Sequence, residues 1–132
     1  MGGNYSWFTV TDVTAKDETI PSGTAAELTV KFTCDGDLWA QWVRGDFGPP
    51  PPWDYEVKVY LEGMGPRAEL SAPVVTGTLV PNQADYEAIV ATPVLTQEGV
   101  YEVAALVELS ANLGFVMGHY DGDLKISVWT PQ

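Results

Sequence analysis

Hydrophobic and polar residues alternate along much of the chain. In AELTVKFT, Leu28, Val30 and Phe32 share one face, while Glu27, Thr29, Lys31 and Thr33 share the other. In YEVKVYLE, Tyr55, Val57, Val59 and Leu61 alternate with Glu56, Lys58, Tyr60 and Glu62. YEVAALVEL sets Tyr101, Val103, Ala105, Val107 and Leu109 against Glu102, Ala104, Leu106 and Glu108. LKISV sets Leu124, Ile126 and Val128 against Lys125 and Ser127. A period of two is what a strand with one buried and one wet face requires. WFTVTDV, APVVTGTLV and DYEAIVATPV carry weaker forms of the pattern. No long segment has a helical stripe. Short helical turns fit only DLWAQW, where Asp37 caps, and the loop after Val80.

Turn residues separate these runs: PSG at 21–23, CDGD at 34–37, GPPPP at 48–52, GMGP at 63–66, VPNQAD at 80–85 and SANLG at 110–114. Their spacing predicts an all-β fold, a single antiparallel sandwich of about seven to nine strands. No composition shift divides the chain, so residues 1–132 read as one domain. The expected core is Leu28, Val30, Phe32, Val57, Val59, Leu61, Val103, Ala105, Val107, Ile126 and Val128.

Asp-Gly-Asp-Leu occurs at 35–38 and again at 121–124. Asp-Gly is a strong two-residue hairpin signal. A turn at Asp121-Gly122 predicts that Phe115, Met117 and His119 pair with Val128, Ile126 and Leu124, all on one apolar face. The same turn at Asp35-Gly36 would pair Trp39 and Gln41 with Phe32 and Val30, a mixed face.

Apolar residues make up 45% of the chain, enough for a real core. The net charge of −12 adds a constraint on partners. It opposes nucleic acid, which needs clustered Lys and Arg, and it opposes an anionic membrane. It favours a basic partner protein or a cation. Cys34 is the one cysteine, so no internal disulfide forms. The opening MGGNYSWFTV has neither the basic start nor the apolar run of a signal peptide. A cytoplasmic location is therefore expected.

VLTQEGVYEVAALVEL resembles the penultimate strand of immunoglobulin-like sandwiches, where an acidic residue precedes Gly-x-Tyr and an alternating strand. Here those residues are Glu98, Gly99, Tyr101, Val103 and Ala105. The resemblance implies a tyrosine corner, with the Tyr101 hydroxyl folded back onto backbone near Leu95 to Glu98. Val103 stands where antibody domains place a cysteine. The chain is thus closer to the disulfide-free branch, such as fibronectin-type modules. This fold hosts many roles, so the resemblance implies no particular function.

WVRGDFGPPPPWDY, from Trp42 to Tyr55, is the densest candidate site. Its prolines favour a stiff extended connector, and Arg-Gly-Asp suits turn geometry. With Trp39 it gathers Trp42, Arg44, Asp46, Phe47 and Trp53. Clustered indoles with a polar rim suit a protein interface or, with carboxylates, a sugar-binding face. At least one of Trp39, Trp42 and Trp53 is expected to stay exposed. Asp35, Asp37, Asp121 and Asp123 would bind calcium only if both turns met at one end of the sandwich. Their turn chemistry already accounts for them.

The residues call for no cofactor. One His and one Cys fall short of a zinc set, and no Gly-x-Ser-x-Gly or glycine-rich phosphate loop occurs. The leading expectation is a non-enzymatic interaction or accessory module that binds through the aromatic-rich loop. A carbohydrate-binding module is the second reading. A small glycoside hydrolase using paired carboxylates is the third.

Overall fold

The computed structural model describes residues 8–34, 53–64, 69–80, 83–111, 114–120 and 123–131. They form β1 (Phe8–Ala15), β2 (Thr19–Pro21), β3 (Glu27–Cys34), β4 (Asp54–Gly63), β5 (Leu70–Ser71), β6 (Val75–Thr78), β7 (Asp85–Ala91), β8 (Gly99–Ala111), β9 (Gly114–Tyr120) and β10 (Lys125–Trp129). None of the described residues is helical. The Gln83 N–H donates to the Val80 carbonyl at 3.0 Å.

One sheet has three strands in the order β1-β3-β7. The other has seven, along the path β2-β10-β8-β4-β5, with β6 also on β4 and β9 also on β8. Several of these are pieces of one strand. β1 pairs with β3, and β2 then crosses to run parallel to β10. β5 and β6 share one edge of β4, opposite β8. β9 and β10 share the far edge of β8. Joined in this way they occupy seven strand positions, within the range expected from the alternation.

Every residue expected in the core is buried, from Leu28, Val30 and Phe32 to Ile126 and Val128. Each large apolar side chain removed from water contributes about 1.5–3 kcal/mol, which is why the inward positions dictate the strands. Phe32 on β3 ties the sheets together. It stacks on Tyr86 of β7 at 5.2 Å and meets Tyr55 of β4 edge-on at 5.3 Å. Gly77 of β6 lies opposite Tyr55, and a Cβ there would clash with the Tyr55 ring and hydroxyl. The missing side chain makes room for the aromatic one.

The corner residue is placed as the resemblance implied. Tyr101 is 1% exposed, and its hydroxyl donates to the Gln97 carbonyl at 3.2 Å. Gly99 has φ of +141°, a conformation that L side chains rarely adopt, so the Gly-x-Tyr pattern has a backbone reason.

β1 explains its own weak pattern. Val10 and Val13 are both buried, although an odd spacing should put them on opposite faces. A bulge between Val10 and Asp12 restores the register, and Thr11 donates its hydroxyl to the Lys31 carbonyl at 3.2 Å.

The expected hairpin at Asp121-Gly122 does not form as a strand pair. β10 pairs with β8 and β2, with Ile126 opposite Tyr101, and β9 pairs with β8, with His119 opposite Leu106. From Tyr120 opposite Ala105 to Lys125 opposite Glu102 the chain keeps its direction along β8. Both edges of β10 are occupied, so β9 has none to join. At the other end of β9, Gly114 pairs with Ala111 of β8. At the first copy, Phe32 pairs with Val10 on one side and Tyr86 on the other, and Trp39 and Gln41 lie outside the described residues. Residues 35–36 and 121–122 themselves lie outside the described residues.

Candidate functional site

The segment 35–52 follows Cys34, the last residue of β3 in one sheet, and precedes Trp53, next to β4 in the other; the contact of Phe32 with Tyr55 puts both of its ends at one end of the sandwich. Trp39, Trp42, Arg44, Asp46 and Phe47 lie outside the described residues, as do Asp35, Asp37 and Asp121. The anchors are firm. Cys34 is 2% exposed, and its N–H donates to the Ala84 carbonyl at 2.8 Å. The Trp53 carbonyl accepts from the Leu79 N–H at 2.8 Å.

Trp53 does not join an exposed patch, because its side chain is 2% exposed. The reason is register. Trp53 precedes Tyr55, Val57, Val59 and Leu61 by the same step of two, so the inward row of β4 begins one position earlier than the alternation first suggests. Beside it, Tyr86 holds the chain at Val80. Its hydroxyl donates to the Val80 carbonyl at 3.1 Å and accepts from the Val80 N–H at 2.8 Å. Burial raises the Tyr86 phenol above its usual range, partly offset by the Val80 backbone bond.

The second feature is the outer face of β4 and β8. Register sets Asp54 opposite Ser110, Glu56 opposite Glu108, Lys58 opposite Leu106, Tyr60 opposite Ala104 and Glu62 opposite Glu102. Lys58 Nζ lies 2.5 Å from Glu108 and 3.9 Å from Glu56. The hydrogen bond to Glu108 raises the Lys58 ammonium above its usual range, against partial desolvation. Tyr60, Glu62, Glu69, Glu102, Val103 and Ala104 line a cleft of about 230 Å³ at the other end of the ladder. Sequence reading put most of these residues on a wet face. It gave no sign that Glu62 and Glu102 would meet, because that depends on the pairing of β4 with β8.

No protein family matches the chain, and no curated protein matches it by sequence. Among solved structures it is similar to the C-terminal domain of Wzt, with a TM-score of 0.62 and 8% identity over 96% of this chain and 75% of that one. The fold is that of an immunoglobulin-like β-sandwich. The chain is also similar to Spo0M, a sporulation control protein from Bacillus subtilis, with a TM-score of 0.47 and 13% identity over 96% of this chain and 51% of that one. A further match is PapD-like domain 7 of human CEP192, with a TM-score of 0.43 and 10% identity over 93% and 87% of the two chains. Identities this low show the fold alone.

Asp123 is exposed, and no group of three or more His, Cys, Asp and Glu among the described residues is placed to hold a metal ion. No described helix is long and apolar enough to cross a membrane.

Proposed function

We propose that this chain is a non-enzymatic accessory module of a larger assembly that binds a basic partner protein. Trp39, Trp42, Arg44, Asp46 and Phe47 supply the contact loop. One observation carries the reading: the aromatic-rich segment 35–52 starts and ends on buried anchors, Cys34 and Trp53, at one end of a rigid sandwich. Loops held on a rigid scaffold are where binding residues concentrate. The net charge of −12 supports a basic partner through long-range attraction. The accessory role has support from Wzt, whose similar part is one domain of that protein. Cys34, buried and without a disulfide, supports a reducing compartment such as the cytoplasm.

The test compares affinity capture by the wild-type chain and by Trp42→Ala, with partners identified. The Ala variant is expected to keep its melting temperature and lose the specific partner. If Trp39→Ala, Trp42→Ala and Phe47→Ala all capture the same proteins as wild type, the loop is not the contact. A tryptophan fluorescence shift with polysaccharide would support the sugar-binding reading instead. Turnover of a glycosidic substrate would overturn the non-enzymatic one.

A further inference from the structure

Exposed apolar residues scattered singly on a surface need no explanation, whereas adjacent ones mark a contact. Trp129 is 47% exposed and Met64 46% exposed, and strand pairing brings both to the same end of the outer face of the seven-stranded sheet. Ile126 and Val128 face the core, so alternation puts Trp129 on the outer face of β10. Leu61 and Gly63 face inward on β4, so Glu62 and Met64 take that same outer face. Half-buried Val100 of β8 joins the two. Its carbonyl accepts from the Met64 N–H at 2.9 Å, and in register it stands opposite Ser127, two residues before Trp129. Pro21 of β2 pairs with Trp129 on the other side and extends the patch.

The indole sits on a stiff frame. The Ser22 N–H donates to the Trp129 carbonyl at 2.7 Å, the Thr130 hydroxyl donates to Glu98 at 2.7 Å, and Pro21 has a fixed φ. A large side chain on an ordered backbone loses little further freedom on binding, which suits it to anchor a contact. Charge then selects the occupant. Glu62 and Glu102 lie two residues from Met64 and Val100 on their strands, and Glu98 is tied to the neighbour of Trp129. The whole chain carries 18 acids against 6 basic residues. A second copy would bring this acidic surface against itself, whereas a basic partner is complementary to it.

We infer that the Trp129–Met64 patch is a second docking surface, taken by an apolar segment of a partner protein flanked by lysine or arginine. The apolar side chains of that segment cover Trp129, Val100 and Met64, and its cations reach the carboxylates at the rim. Trp53 precedes β4 and Met64 follows it, so the patch and the 35–52 loop lie at opposite ends of that strand. The inference shares with the proposed function only the basic character of the partner.

The probe is a capped amphipathic peptide of leucine and lysine, titrated at physiological salt and followed by NMR. Saturable shifts are expected at the Trp129 indole N–H and at the backbone of Met64 and Val100. Trp129→Ser is expected to weaken binding at least tenfold and to keep the melting temperature, because the side chain faces water. Met64→Ser is expected to weaken binding as well. Ile89→Ser removes a 57% exposed apolar residue from the other sheet, and its binding is expected to stay within about twofold of wild type. The same peptide with glutamate in place of lysine is expected not to bind. Unchanged binding by Trp129→Ser and Met64→Ser, an equal loss with Ile89→Ser, or equal binding of the glutamate peptide would overturn the inference. So would a wild-type dimer that Trp129→Ser dissolves, because the patch would then belong to a second copy. Trp42→Ala is expected to bind the peptide like wild type, so the outcome is separable from that of the capture experiment.

Discussion

The Tyr101 hydroxyl donates to the Gln97 carbonyl across the turn that precedes its own strand, at 3.2 Å. Tyr101 is buried between the sheets, so the bond joins the core of β8 to the loop that leads into it. Tyr101→Phe keeps the ring and removes only that bond. The expected cost is about 1 kcal/mol, or roughly 4 °C in melting temperature. Thermal unfolding of the purified variant checks this, and an unchanged midpoint would show that the corner contributes nothing.

Trp53 and Trp42 are expected to behave in opposite ways. Trp53 lies in the core at 2% exposure, at the head of the inward row of β4. Trp53→Ala leaves a cavity among packed side chains and should cost about 3–5 kcal/mol. Chemical denaturation measures it. A loss below about 1 kcal/mol would mean that the indole is not packed as described.

Stability should fall at alkaline pH. Burial raises Tyr86 above its ordinary 10.0, and the bond to Glu108 raises Lys58 above its ordinary 10.5. Both groups hold their proton more tightly in the folded chain than in the unfolded one. Their contribution is therefore complete below about pH 10 and is lost as pH climbs through the raised values. Tyr86→Phe also loses the hydroxyl bonds to Val80, so it should be less stable at neutral pH and decline less steeply above pH 10. Urea midpoints from pH 8 to 11 test both parts, and a wild-type slope in the variant would contradict the second.

Much of the fold was legible because a strand writes its burial into every second residue. Leu28 to Phe32, Val57 to Leu61 and Val103 to Val107 face inward for that reason alone. The pattern faded where the backbone departs from period two, at the Thr11 bulge in β1. It misled at Asp121-Gly122, because a hairpin signal is local, whereas the choice of edge belongs to the whole sheet. β10 joins β8 and β2, and its Ile126 and Val128 are part of the buried core.

The candidate sites divide in the same way. Sequence by itself determined the aromatic cluster, the acidic balance and the wet faces of β4 and β8, since these are properties of single residues and their spacing. Tertiary structure alone decided that Trp53 is core and that Glu62 meets Glu102. Both outcomes depend on register, which shifts every side chain of a strand together and is settled only when the strands pair.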